Sequence, residues 1–246
     1  MYDVPGQGQD SLLRMVNGHE IWLEVAQRAD RGLDIEILYG DCMRTDGSID
    51  MSRIVSRVFD PDGLEIIPEM KSVDTRHFLE LKAVKDGYYT SFADLNPVLI
   101  SISQTAGCKL GPRRCYDDIV YAGAFRQMAK IIIPFGNTGG APPGHIHGIL
   151  DIIPRSAHLV AGREIALSLV YEGNPVSGVC VEAVSKEQGR IAARGKTGAD
   201  GIVCLPVSGP GTWMFLARHR DRAKSMADEF DETVFVTTLV MGTAPV

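Results

Sequence analysis

Two imidazoles one residue apart are the sharpest chemical signal in this chain: His145 and His147 in "GHIHG" (144–148). In an extended segment, side chains two positions apart project to the same side, so both rings can approach one ion. Neutral imidazole suits nickel, cobalt, copper and zinc. Two further histidines stand beside chemistry-bearing neighbours, His19 in "NGHEIWLEV" (17–25) and His219 in "TWMFLARH" (212–219). If neighbouring strands bring these segments together, His19, His145, His147 and His219 form a nitrogen-rich metal site, with Glu20 or Asp231 as a carboxylate ligand. Such a site needs neutral imidazoles, so its affinity should fall as pH drops through about 6.5. His77 and His158 read instead as surface or hydrogen-bonded residues.

Catalytic patterns are missing. The sequence contains no G-x-S-x-G, H-E-x-x-H, P-loop or dinucleotide fingerprint. Acidic residues are plentiful, but spacing alone places no pair at the flanks of a cleft, as glycoside hydrolysis would require. The chain is therefore expected not to be an enzyme. Its five cysteines (42, 108, 115, 180 and 204) are an odd number, and the six residues between Cys108 and Cys115 exceed the spacing of a zinc knuckle or redox pair. Cys108 with Cys115, and Cys180 with Cys204, are conceivable bridges. The strand positions of Cys180 and Cys204 favour small buried hydrophobes.

The elements that must position these residues are strands. Period-two or β-branched stretches recur at 33–40, 52–59, 76–84, 164–171, 178–184 and 233–240. Between them fall Asp46-Gly47, Asp62-Gly63, Asp86-Gly87 and Asp200-Gly201, pairs that tolerate the positive φ of tight turns. Helical patterning is weak and confined to 117–129 and 221–229. The Gly- and Pro-rich stretch 134–148 interrupts the strand pattern. The expected fold is all-β, with an extension over 1–18, a β-sandwich over 19–135, a linker over 136–148 and an Ig-like or transthyretin-like sandwich over 149–241.

The later half repeats a familiar order: a strand, "GNPVSG" (173–178), a strand, "KTGADG" (196–201), a strand, "PGTW" (210–213) and a strand. That order resembles carboxypeptidase-regulatory and other transthyretin-like modules, where Trp213 would plug the sandwich end. With "HEIWLE" (19–24) and "MAKIIIPFG" (128–136), residues 18–240 resemble a family of extracytoplasmic two-domain β-sandwich proteins. That family includes accessory periplasmic components of nickel and cobalt uptake systems. His19, Trp22, Trp213 and His219 carry the likeness. Family members place the first histidine near the mature N-terminus. Here eighteen residues precede His19, so a role for the terminal amine would require that processing remove them.

The resemblance implies a non-catalytic accessory protein that binds nickel or cobalt, with copper or zinc as further options, and delivers it to a membrane transporter. Two other readings stand beside it: a carbohydrate- or protein-binding Ig-like module, with Trp22 and Trp213 as a conceivable sugar-stacking pair, and a structural part of an envelope or filament assembly joined edge to edge. Net charge is −6, which gives no electrostatic footprint for nucleic acid or anionic membrane. No apolar run reaches the roughly 18 residues of a membrane span, so no direct insertion is expected. The first residues lack the basic start and apolar run of a signal peptide. The chain is accordingly expected to be periplasmic if a leader has been removed, and cytoplasmic otherwise.

Overall fold

The period-two stretches fold as strands in a computed structural model that describes residues 12–74, 76–139, 148–156 and 158–243. In chain order they are β1 (Glu20–Gln27), β2 (Gly32–Asp41), β3 (Arg44–Thr45), β4 (Ile54–Phe59), β5 (Glu65–Ile66) and β6 (Glu69–Val73). Then come β7 (Arg76–Lys82), β8 (Gly87–Ser103), β9 (Gly107–Leu110), β10 (Ile119–Phe135), β11 (Leu150–Pro154) and β12 (Arg163–Tyr171). The last are β13 (Asn174–Pro175), β14 (Cys180–Ser185), β15 (Arg190–Lys196), β16 (Ile202–Val207), β17 (Thr212–Asp221) and β18 (Glu232–Gly242).

These strands make three sheets. One runs β1-β2-β7-β6 with β3 on β2, and another joins β11, β12, β13 and β16. The largest, nine-stranded, runs β15-β14-β17-β18-β10-β8-β4-β5 with β9 on β8. Alternate residues of this sheet enter two different cores. Val234, Val236, Val240, Met214 and Ile131 pack with Leu23, Ile35 and Leu79 of the β1 sheet. Phe235, Leu239, Met241, Phe215 and Ile132 pack with Ile152, Leu167 and Leu205 of the β12 sheet. The nine-stranded sheet is therefore a middle layer buried on both faces.

The two sandwiches expected over 19–135 and 149–241 thus share their middle layer. β10 from the first half pairs in parallel with β18 from the second, from Gly123↔Glu232 to Ile131↔Val240. A strand covered on both sides has no exposed face, and β18 is buried from Glu232 to Met241, its four polar residues included. Lys130 and Asp151, both buried, pair at 2.6 Å and tie β10 to the outer strand β11. Residues 140–147, most of the expected linker, lie outside the described residues.

Both helical expectations are overturned. Residues 119–135 form β10, whose Val120, Tyr121 and Phe125 suit a sheet and whose apolar residues on both faces mimic helical spacing. The stretch 221–229 is mostly turn, with the Met226 and Phe230 backbones bonded to each other. Of the expected Asp-Gly turns, Asp62-Gly63 and Asp200-Gly201 form, Asp86-Gly87 is a bend leading into β8, and Asp46-Gly47 lies in irregular backbone with no turn. At Gly201, φ is +74° and an added Cβ would meet the Leu169 carbonyl oxygen at 2.9 Å. β10 and β8 change register between Phe125 and Gln127, opposite Asn96-Pro97. Pro97 cannot donate to a ladder, and the resulting bulge shifts the alternation of β8, so that Ala93 and Leu95 before it and Val98 and Ile100 after it face the same core.

Candidate functional site

The segment carrying His19 and Glu20 crosses the middle sheet with the free edge of β1 resting on it. An edge strand buried there leaves N–H and C=O groups that need partners. Gln127 supplies two: its Oε1 accepts from Ile21 N at 2.9 Å, and its Nε2 donates to His19 O at 2.7 Å. Thr238 Oγ1 donates to Ile21 O at 2.8 Å. His19 follows Gly18, which closes a short 3-10 turn (Arg14–Asn17) at φ +101°. The His19 ring lies 5.7 Å from that of Tyr39, and Nε2 is 3.1 Å from Asp46 Oδ2. Its Nδ1 is buried without a hydrogen-bond partner. Hydrogen bonds from His19 and then from Arg14 hold the Asp46 carboxyl below its ordinary range.

Glu20, 1% exposed, is the most perturbed group near β1. Its Oε2 accepts from Arg218 Nη2 at 2.9 Å and its Oε1 from Cys42 N at 3.2 Å. Burial pushes the carboxyl up to about 8, against the lowering pull of Arg218. Arg218 also donates to Gly18 O at 2.7 Å and to Glu182 Oε2 at 3.1 Å, so its donors hold β1, β14 and β17 together. Cys42 and Met43, both at positive φ (+51° and +60°), form the tight turn between β2 and β3. That conformation is strained for residues other than glycine, and the Glu20 carboxylate bonds its first N–H. Burial pushes the Cys42 thiol up to about 11, a poor basis for nucleophilic chemistry. The arrangement is a saturated clamp. Its carboxylates are spoken for, and it presents no open catalytic constellation.

The four candidate histidines do not assemble among the described residues. His219 alternates with Arg218 along β17, so the two side chains leave opposite faces of the middle sheet. The His219 ring stacks 4.5 Å from Tyr171 of β12, on the side opposite Glu20 and His19. One ion cannot take both His19 and His219. His145 and His147 lie outside the described residues. Asp231 accepts from Arg113 and, at 2.9 Å, from Ala122 N. No group of three or more His, Cys, Asp or Glu among the described residues is placed to hold a metal. His77 Nδ1 lies 2.9 Å from Ser72 Oγ, and the exposed His158 lies 6.4 Å, ring to ring, from Tyr88.

Both tryptophans are fully buried, which removes them as a sugar-stacking pair. Trp213 Nε1 donates to Gly209 O at 3.1 Å, and Trp22 Nε1 to Glu24 Oε1 at 3.1 Å. All five cysteines are free, and Cys180 and Cys204 are exposed where burial was expected: their side chains alternate outward from their strands.

Three surfaces among the described residues bear on binding. A cleft of about 390 Å³ lies beside β1 and β2, lined by Trp22 and Tyr39 together with the paired Glu24–Lys186 and Glu36–Arg76. A second cavity, about 410 Å³, sits at one end of the middle sheet. The third surface is the outer edge of β6, all five of whose residues are exposed. Sequence reasoning passed over Gln127 and Arg218, the two side chains that organise the first strand. The alternation "ARHRD" (217–221) was the available signal for Arg218.

Among solved structures, the chain is similar to the BSP domain of a biofilm associated protein at 12% identity and a TM-score of 0.23, covering 91% of this chain and 30% of that one. It is also similar to the D0-D1 domain of intimin (12%, 0.22, covering 91% and 98%) and the Bacillus anthracis TIE protein (8%, 0.18, covering 89% and 40%). The chain thus spans less than a third of the first of these, and scores this low carry no argument about role. No curated protein matches the sequence. The family model that does match covers residues 16–221, and by it the chain belongs to the DUF4198 family, a domain of unknown function.

Proposed function

We propose that this chain is a non-catalytic protein-binding module that takes an extended partner segment along the free edge of β6. One observation carries the reading: β6 pairs only with β7 among the described residues, and every residue along it is exposed. Such an edge offers a row of unpaired N–H and C=O groups to an incoming strand. Beside it stand Leu64, Met70, Val73 and Ile67, the last 94% exposed. Two other edges are guarded. β1 is closed by Gln127 and Thr238, and β15 carries Arg190, Arg194 and Lys196.

The partner's chemistry follows from charge. Residues 60–74 hold five carboxylates, of which Asp60 and Asp62 pair with Lys85 and Glu65 with Arg57, so that Glu69 and Asp74 stand on the edge against one lysine, Lys71. A second copy of the same edge would be repelled. A segment alternating apolar with basic residues would be drawn in. The test is selection of peptides from a random display library on the full chain, followed by binding to an Ile67→Asp/Met70→Asp variant. Selected peptides should alternate apolar and basic residues and lose binding to the variant, which changes exposed side chains alone. Equal binding to both proteins would overturn the reading.

Transition-metal carriage does not fit the described residues. His19 and Asp46 give two donors, one of them already bonded to Arg14, and His219 faces away.

A further inference from the structure

We propose a second site, independent of the β6 edge: the cavity at the end of the middle sheet takes a small uncharged ligand with an apolar body and one hydrogen-bond acceptor. Its volume, about 410 Å³, lies within the range of small-molecule pockets. Its walls come from both cores. Ile131 and Val240 belong to the core facing the β1 sheet, while Ile132, Leu159 and Met241 belong to the core facing the β12 sheet. The cavity therefore lies where the two cores meet, past the last rungs of β10 and β18.

The polar feature that asks for a ligand is Tyr88. It is 5% exposed, lines this cavity, and its buried hydroxyl has no hydrogen-bond partner. Thr90, two residues on and so on the same face of β8, also has a buried hydroxyl without a partner. Buried hydroxyls are nearly always paired, and a bound acceptor would remove the cost of leaving this one unmet. The charged side chains in the wall, Glu24 and Lys186, are bonded to each other, so the cavity calls for no charge on its occupant. A wall of apolar side chains interspersed with Thr138, His158, Thr212 and Thr243, with the Tyr88 hydroxyl as its buried unpaired donor, selects by shape and by that hydrogen bond.

The test uses two probes of one shape, p-cresol and p-xylene, titrated into the full chain while the Met241 methyl resonance is followed by NMR. Both should shift Met241. In Tyr88→Phe, p-cresol should bind about fivefold more weakly, the worth of one hydrogen bond, while p-xylene binds as before. Because the substitution removes a hydroxyl that bonds to nothing, loss of folding does not confuse the result. An unmoved Met241 signal with p-cresol, or p-cresol affinity unchanged by Tyr88→Phe, would overturn the proposal.

Discussion

Arg218 reaches Glu20 across 198 residues of sequence, its Nη2 donating to Oε2 at 2.9 Å at the junction of two layers. Without the guanidinium, a buried carboxylate and the Gly18 carbonyl would each lose a donor. Arg218→Met should therefore cost about 2–3 kcal/mol in urea unfolding, since it leaves a buried and a half-buried acceptor without their donor. Glu20→Gln keeps one acceptor oxygen and turns an NH2 toward the other donor, and should cost about 1–2 kcal/mol. Equal losses in the two variants would mean that the carboxylate charge is not what Arg218 serves.

The same pair sets a pH dependence. Burial raises the Glu20 carboxyl from its ordinary 4.5 to about 8, so the folded chain holds this proton more tightly than the unfolded one. The group's contribution is then most favourable below about 4.5 and is lost as pH rises through 8. Asp46 and Asp86, whose carboxyls are lowered by hydrogen bonds, act the other way, and their contribution is lost only at acid pH. Between pH 5 and 8, wild type should lose stability relative to Glu20→Gln as pH rises. A flat difference over that window would place the Glu20 carboxyl in its ordinary range.

Gln127→Leu tests the closure of the β1 edge. The amide side chain is the hydrogen-bond partner of Ile21 N and of the His19 carbonyl oxygen. Replacing it with an isosteric apolar group leaves two buried backbone groups unpaired, at a cost of about 2–4 kcal/mol. The amide of Ile21 should exchange with solvent markedly faster in the variant. Unchanged protection of Ile21 would show that β1 is held by packing alone.

These two side chains mark the limit of what the sequence discloses. Strand after strand was legible, because alternation and Asp-Gly pairs encode half-buried strands and the turns between them. β10 was not, since a strand buried on both faces loses its alternation, and "AGAFRQMA" (122–129) then imitates a helix. Gln127 looks like any polar residue, and its parity on β10 puts it on the face where a strand 106 residues away comes to rest, which only the layering of the sheets decides. Likewise, the parity of "ARHRD" places Arg218 and His219 on opposite faces, but which face meets His19 is decided by the layering of the sheets.

Tyr88→Phe should raise the melting temperature in the absence of any ligand. The hydroxyl is buried and bonds to nothing, so its removal saves desolvation and breaks no contact. About 1 kcal/mol would correspond to about 2–4 °C for a chain of this size. A lower melting temperature in calorimetry would mean that the hydroxyl has a partner in solution, such as a bound water, and that the variant breaks that bond.

Nickel titration separates the two described histidines of the expected metal set. The His219 ring packs on Tyr171 on one side of the middle sheet, and His19 faces Asp46 on the other. Any Ni²⁺ binding measured by calorimetry at pH 7.5 should be the same in wild type and His219→Ala, because one ion cannot bridge the thickness of a sheet. The ring stack should register the substitution instead. Losing an aromatic contact at this distance costs about 0.5–1.5 kcal/mol, visible in urea unfolding. A Ni²⁺ isotherm abolished by His219→Ala would overturn this expectation and place the metal on the Tyr171 side of the middle sheet, without His19.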